Sequence, residues 1–154
     1  VVKGVAPTDS DRFKAYVTDV SDSAQVSAAI EDIGKRFGRI DILVNNAGIL
    51  HKGMIETSTD AHIELMIRVN LMAPMYCTRS VIPFMKKNGG NIINVSSILA
   101  TFPNTGAGAY GAAKNGIITL TRIWAAELAP YGIRVNCYAP GTINTPMITS
   151  IRRM

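Results

Sequence analysis

The most constraining feature of the sequence is the alternation of short apolar runs with longer segments of helical periodicity. Apolar runs of four to six residues that helices separate are typical of parallel strands, whose two faces are both covered. The pattern predicts one α/β domain over residues 1–154, built on a doubly wound parallel sheet. The predicted strands are 13–18, 40–44, 91–95 and 133–138, and the predicted helices are 23–37, 60–87 and 110–129.

Composition excludes several classes of partner. The chain of 154 residues is 47% hydrophobic and 18% charged, as in an ordinary globular protein. Its net charge of +5 comes from small separated groups of basic residues, so we expect no nucleic-acid partner. No apolar run approaches the roughly 20 residues that span a bilayer, so we expect no membrane partner. Cys77 and Cys137 lack metal-ligand spacing, which favours free thiols in a reducing cytoplasm and no metal site.

Tyr110 is the one tyrosine of five with a lysine, Lys114, four residues later. In a helix this spacing places both side chains on one face. The pKa of a free tyrosine is near 10, and a neighbouring lysine cation favours the phenolate and lowers that pKa. Such a pair also arises by chance, but Ser97 lies 13 residues earlier, just after a predicted strand. Its hydroxyl can donate a hydrogen bond to a substrate oxygen on which negative charge develops.

Asn70 is followed four residues later by Pro74 within the predicted helix 60–87. Because proline has no N–H, the carbonyl of Asn70 loses its usual helical donor and can accept from a water molecule. The other interpretation is a plain proline kink beside an asparagine that only packs.

Taken together, these residues resemble a known family. Asn45-Asn46-Ala47-Gly48 after a strand, Ser97, Tyr110-x-x-x-Lys114 and Pro140-Gly141 are similar to the motifs of the classical short-chain dehydrogenase/reductases, over about Phe13 to Met147. The resemblance implies a Rossmann-like fold. It also implies an oxidoreductase that transfers a hydride between NAD or NADP and a secondary alcohol or ketone.

The resemblance assigns four catalytic roles. Tyr110 would exchange a proton with the substrate oxygen, and Lys114 would also hold the nicotinamide ribose. Ser97 would orient the substrate oxygen, and Asn70 would hold a proton-relay water through its backbone carbonyl. Ser96 suits the serine role less well, because its spacing to Tyr110 is one residue too long.

The resemblance also implies binding residues. Asp19 would accept a hydrogen bond from the adenine amine, or it could only begin the next helix. Asn45 to Gly48 would let the backbone approach the cofactor ribose, or they could form a plain turn. His51 borders the expected pocket, but a surface histidine is the simpler interpretation. The cofactor residues are Asp19, Val20, Asn45, Ala47, Gly48, Tyr110, Lys114, Pro140, Gly141, Ile143 and Thr145, and the substrate residues are Ser97, Leu99, Phe102, Tyr110 and Met147.

One departure from the family is large. The glycine-rich turn that cradles the pyrophosphate after the first strand is absent, and neither Gly4 nor Gly34 substitutes for it. In the doubly wound order that first strand lies in the middle of the sheet. We therefore expect a fold incomplete at both ends, with unpaired interior edges, that is not a complete folding unit.

Two other interpretations remain open. The chain could be a non-enzymatic scaffold that has lost cofactor binding, or an epimerase or dehydratase of the extended branch, which shares Tyr-x-x-x-Lys. Asn45 to Gly48 favours the classical branch. Within that branch the candidates include 3-oxoacyl-carrier-protein reductases, sugar and polyol dehydrogenases and steroid dehydrogenases. Analogy with related enzymes predicts a homo-oligomer, either a dimer or a tetramer.

Overall fold

The computed structural model describes residues 13–145 and has the predicted α/β architecture. In that range three parallel strands form a sheet in the order β1–β2–β3. The strands are β1 (Ile42–Asn45), β2 (Gly90–Val95) and β3 (Ile133–Tyr138), and the α-helices are α1 (Ser23–Phe37), α2 (Asp60–Ile67), α3 (Ala73–Met85) and α4 (Gly108–Leu128).

The strand register brings the carboxyl ends of the three strands to one edge. Asn45 of β1 is paired with Asn94 of β2, and Val95 is paired with Tyr138 of β3. Because all three strands are parallel, the segments that follow them leave the sheet on the same side. These segments carry most of the predicted site residues.

Helix α1 has the bounds that the sequence predicts, and its ends explain why. The Asp22 carboxylate accepts from the backbone N–H groups of Ala24 and Gln25, which caps the helix. Gly38 follows the last turn with φ of 75°, a left-handed conformation that glycine adopts without strain. Both signals are local, so they can be identified from the sequence.

The predicted helix 60–87 is not one continuous α-helix. A π-helical segment, Arg68–Met72, separates α2 from α3. The N–H of Ala73 donates to the carbonyl of Arg68, five residues back. Because Pro74 cannot donate, the regular four-residue hydrogen-bond pattern is interrupted here, and the wider turn accommodates the interruption.

The predicted strand 13–18 is wrong. Phe13 forms an isolated bridge, the following residues belong to no strand, and the side chain of Val17 is fully exposed. A strand depends on a partner for its hydrogen bonds, and within residues 13–145 none of the three strands pairs with this segment.

One face of the sheet carries the core. Buried residues of α1, α3 and α4 pack with Ile92, Ile133 and Val135 in a single cluster. On the opposite face Ile42 and Val44 are 61% and 54% exposed. The sequence predicts strands covered on both faces, whereas in the described residues only one face is covered in this way. The covered face is the one against which the catalytic candidates lie.

Candidate active site

Tyr110 and Lys114 lie in the first two turns of α4, where that helix packs against the end of β2. Both side chains are buried, at 7% and 4% exposure. The ammonium nitrogen of Lys114 is 5.7 Å from the centre of the Tyr110 ring. The structure therefore brings the predicted pair together at the edge where the strands end.

Ser97 directs its hydroxyl toward this pair. Its Oγ accepts from the N–H of Leu99 at 3.2 Å, which begins a short 3₁₀ turn, Ile98–Ala100. The Ser97 side chain also lies close enough to the Tyr110 phenol to lower its pKa. The three residues Ser97, Tyr110 and Lys114 thus form one buried cluster.

Close packing against α4 holds the turn that carries Ser97. A Cβ atom at Gly111 would lie 2.9 Å from the carbonyl oxygen of Leu99, closer than real Cβ contacts allow. One turn further along α4, the side-chain amide of Asn115 donates to the carbonyl of Ala100 at 2.9 Å. The sequence shows neither contact, because both depend on how the turn lies against the helix.

The pKa of Tyr110 is shifted opposite to the prediction. Burial raises this pKa, and the Ser97 side chain lowers it by less. Lys114 does not reverse the shift. Its ammonium donates to the carbonyl of Val95 at 2.8 Å. Burial also lowers the pKa of Lys114, and nearby Cys137 opposes this. Tyr110 is therefore protonated at neutral pH, the form that a general acid requires.

Ser96 points away from the phenol. Its buried hydroxyl donates to the backbone carbonyl of Lys114 at 2.7 Å, and its N–H donates to the carbonyl of Tyr138 at 2.8 Å. The orientation of Ser96 agrees with the choice of Ser97 for contact with substrate.

Asn70 is fully buried and holds the segment after Gly48. Its side-chain oxygen accepts from the N–H of Ile49 at 3.2 Å, and its amide donates to the carbonyls of Ile49 and Met66 at 2.9 and 3.0 Å. A Cβ atom at Gly48 would lie 3.0 Å from Oδ1 of Asn70 and 3.5 Å from Nζ of Lys114. Gly48, Asn70 and Lys114 therefore meet, and the position of Gly48 requires a small residue.

Asn45 does not direct its side chain toward a cofactor. Its buried amide donates to Oδ1 of Asn94 at 2.8 Å and to Oγ1 of Thr78 at 3.2 Å. The amide of Asn94 in turn donates to Oγ1 of Thr121 in α4 at 2.9 Å. The Asn45 side chain is used in this interior network, so only its backbone can face a ligand. No sequence motif indicates that Thr78 and Thr121 are partners in this network.

Asp19 and Val20 lie just before α1. The exposed carboxylate of Asp19 accepts from the N–H and the hydroxyl of Ser21 at 2.9 and 2.8 Å. These two bonds hold the pKa of Asp19 below its usual value. Val20 is partly buried against the core. Since Asp22 caps the helix, Asp19 does not have that structural role.

The segment after β3 is tied to the Ser97 turn. The carbonyl of Pro140 accepts from the N–H of Ile98 at 2.9 Å. Gly141 lies in open space, and both Ile143 and Thr145 are exposed. Ala47, in the segment after β1, is exposed as well. Five of the eleven predicted cofactor residues are thus exposed in the described structure.

A cavity of about 260 Å³ lies between the segment after Gly48 and the start of α4. The stacked rings of His51 and His62, with centres 3.9 Å apart, contribute to its wall. Four of the predicted substrate residues lie outside its lining, and Met147 is outside the described residues. Those four are Ser97, Leu99, Phe102 and Tyr110. Phe102 is 64% exposed.

Two features are absent from residues 13–145, the part of the chain that the structure describes. This range contains no cluster of three or more histidine, cysteine or acidic side chains that could bind a metal ion. None of its helices has the length and apolar character needed to cross a membrane.

Residues 2–154 match the short chain dehydrogenase family model. Over 133 residues the chain is 42% identical to the 3-oxoacyl-[acyl-carrier-protein] reductase FabG of Thermotoga maritima, an alignment that covers 86% of this chain and 54% of that protein. The chain therefore belongs to the short-chain dehydrogenase family, and the Rossmann-like fold class is confirmed.

Solved structures agree with this assignment. The 3-ketoacyl-(acyl-carrier-protein) reductase of Brucella melitensis, complexed with NADH, is 36% identical with a TM-score of 0.82, covering 86% of this chain and 57% of that one. The gluconate 5-dehydrogenase of Burkholderia cenocepacia, in complex with NADP and tartrate, is 34% identical with a TM-score of 0.84, covering 88% and 54%. The chain thus spans about half the length of the relatives it matches.

Proposed function

We propose that the protein interconverts a ketone and a secondary alcohol by hydride transfer with NAD or NADP. The observation that carries this proposal is the buried cluster of Ser97, Tyr110 and Lys114, in which the centre of the Tyr110 ring is 5.7 Å from Nζ of Lys114. A phenol, a hydroxyl and an ammonium grouped in this way can protonate a carbonyl oxygen and stabilise the charge that develops on it.

In the direction of reduction, Tyr110 gives its proton to the substrate oxygen. Burial supports this role, because it raises the pKa of Tyr110 and keeps the phenol protonated at neutral pH. The Ser97 hydroxyl donates a hydrogen bond to the same oxygen while the charge develops. The N–H of Leu99 donates to one lone pair of this hydroxyl and so helps to fix its position.

Lys114 and Asn70 support the proton transfer. The Lys114 ammonium offsets part of the negative charge that Tyr110 acquires when it gives up its proton. We further propose that the Asn70 carbonyl holds the water through which Tyr110 regains a proton. The π-helical segment around Asn70 supports this role, since backbone carbonyls in such segments depart from regular helical pairing.

The residues at the strand ends fit a nicotinamide cofactor. An ammonium has three N–H donors, and the bond from Lys114 to Val95 uses one of them. Gly48, without a Cβ atom, leaves the approach to that ammonium open. We propose that Lys114 and Gly48 hold the ribose, that the segment Pro140 to Thr145 holds the carboxamide, and that Asp19 holds the adenine amine. The nicotinamide supplies the hydride when it is bound.

Two substrate classes are favoured within this reaction. The likeness to FabG supports a 3-oxoacyl thioester, and the likeness to gluconate 5-dehydrogenase supports a sugar acid or polyol.

We also propose that the active protein is a homodimer or homotetramer, because Leu65 of α2 and Ile123 of α4 expose much of their apolar surface. Light scattering of the purified protein measures that state directly.

A panel assay on the full-length gene product tests the reaction. NADH and NADPH are each followed by absorbance with 3-oxoacyl thioesters, keto-sugar acids and simple ketones, and the reverse reaction is followed with the matching alcohols. We expect oxidation of at least one cofactor with one ketone class. No turnover with any pair, in a protein that is folded by circular dichroism, contradicts the proposal and favours a non-enzymatic scaffold.

A further inference from the structure

We propose that Ser96 is a positioning residue that holds Lys114 in place for catalysis. The inference rests on the proposed function of Lys114 but concerns a residue that touches neither substrate nor cofactor in that proposal. Its basis is that Val95 and Ser96, two consecutive residues where β2 ends, both contact Lys114. One contact is to the side chain of the lysine and the other is to its backbone.

The first contact is at the side chain. The Lys114 ammonium donates to the carbonyl of Val95 at 2.8 Å. The second contact is at the backbone, where the Ser96 hydroxyl donates to the carbonyl of Lys114 at 2.7 Å. Because β2 ends at Val95, both contacts come from the point at which the chain leaves the sheet. The lysine is therefore fixed at its Cα end and at its Nζ end by adjacent residues.

Ser96 is itself held rigidly. It is 2% exposed, and its own N–H donates to the carbonyl of Tyr138 in β3 at 2.8 Å. A hydroxyl on so restrained a backbone has few other directions in which to donate. The helical carbonyl of Lys114 has two lone pairs, so it accepts from Ser96 without giving up the bond within α4. The contact thus adds a connection between sheet and helix at the position of the catalytic lysine.

Loss of the Ser96 hydroxyl should therefore loosen Lys114 while leaving α4 helical. Without the Ser96 bond, the backbone of Lys114 is less firmly held at its distance from the end of β2. The Nζ atom would then leave the Val95 carbonyl for part of the time. Because proton transfer depends on the placement of this charge, turnover should fall more than the loss of stability explains.

Thr121 provides a matched control. It lies two turns further along α4, and its hydroxyl accepts from Asn94 of the same strand at 2.9 Å. Thr121→Val removes a buried hydroxyl from the same helix–strand contact without touching Lys114. Both variants should lower Tm by similar amounts.

The experiment compares Ser96→Ala, Thr121→Val and the unaltered full-length protein in two assays. The first is kcat for the ketone found in the panel assay, where we expect a fall of about tenfold in Ser96→Ala and less than twofold in Thr121→Val. The second is the rate at which acetic anhydride acylates Lys114, followed by mass spectrometry of the peptide that contains it. Acylation should be severalfold faster in Ser96→Ala alone.

Equal kcat values and equal acylation rates in the two variants would overturn the proposal. The acylation assay needs no turnover, so it decides the role of Ser96 even if the unaltered protein reduces no ketone. Failure of the proposed function and failure of this inference are therefore separate results.

Discussion

The two sides of the candidate site differ in how they are built. On the catalytic side, Asn70, Ser97, Tyr110 and Lys114 are all buried, and the side chains of Asn70, Ser97 and Lys114 make hydrogen bonds within the chain. On the cofactor side, Asp19, Ala47, Gly141 and Thr145 are exposed. The chain's own packing therefore fixes the chemistry of the catalytic side, whereas the cofactor side presents groups to a ligand.

This difference predicts how substitutions behave. A change on the catalytic side should alter turnover, and it should alter stability as well because the same contacts serve both. A change on the cofactor side should alter ligand affinity with little effect on stability. The expectations below begin with the largest effect.

Lys114→Met should lower turnover more than the glycine substitutions or Asp19→Ala. Loss of the charge that stabilises the phenolate should lower kcat by roughly 10²- to 10³-fold. Lys52→Met, which removes an exposed lysine, is the control and should leave kcat unchanged. Steady-state kinetics at saturating cofactor measures both, and equal kcat values in the two variants would show that Lys114 has no part in proton transfer.

The same Lys114→Met variant should be at least as stable as the unaltered protein at pH 7. Burial lowers the pKa of Lys114 in the folded state, so the unfolded chain binds this proton more tightly. The charge therefore opposes folding at every pH below the folded pKa, and this penalty fades as pH rises toward about 10.4, the unfolded value. Thermal unfolding at pH 7 and pH 10 checks the sign, since any gain in Tm should be larger at pH 7.

Gly111→Ala should have an intermediate effect that links stability to turnover. The new Cβ atom would press on the Leu99 carbonyl, 2.9 Å away, and would displace the turn that carries Ser97. We expect a loss of about 1–3 kcal/mol in the free energy of unfolding and a fall in kcat of about tenfold.

Gly108→Ala is the control for Gly111→Ala. A Cβ atom there meets nothing within 4 Å, and alanine favours the helix by up to about 1 kcal/mol. Denaturant unfolding and kcat are measured for both variants. If Gly111→Ala behaves like Gly108→Ala, then close packing of the turn does not position Ser97.

Gly34→Ala should change stability without changing catalysis. Gly34 of α1 lies against the ring of Phe84 in α3, and a Cβ atom would overlap that ring. The ring or the two helices must then shift, at a cost of about 1–3 kcal/mol in the free energy of unfolding. At temperatures well below Tm, kcat should be unchanged. Adding Phe84→Leu should restore part of the lost stability, and a fall in kcat in the single variant would show that the α1–α3 contact also shapes the site.

Asp19→Ala should have the smallest effect. The residue is exposed, so the free energy of unfolding should change little. Loss of one hydrogen bond to adenine should raise the KM for the cofactor about twofold to tenfold, with kcat unchanged. Glu56→Ala removes another exposed carboxylate and should change neither constant. An unchanged cofactor KM in Asp19→Ala contradicts the adenine assignment.

Local signals account for what the sequence predicts correctly. Asp22 and Gly38 define the two ends of α1, and the apolar run that forms β3 has the predicted bounds. The spacing of Tyr110 and Lys114 predicts their shared helical face, and the position of Ser97 after a strand places it beside them. These relations hold because each depends on the period of one helix or on the end of one strand.

The predictions that fail depend on distant contacts. Segment 13–18 has strand composition, but a strand also needs a partner. The sequence also does not reveal that the Asn45 amide bonds to Asn94 and Thr78 in the core. The pKa of Tyr110 rises because burial outweighs the effect of the Ser97 side chain, and a sequence motif contains no measure of burial.

The central claim is that Tyr110 transfers the proton from a site that the chain's own packing holds ready. Tyr110→Phe in the full-length protein tests it most directly, with kcat and the Kd for NADH and NADPH measured on the same sample. The account predicts a loss of roughly 10²- to 10⁴-fold in kcat, with the Kd changed by less than about threefold. Turnover equal to that of the unaltered protein, with cofactor binding intact, would contradict it.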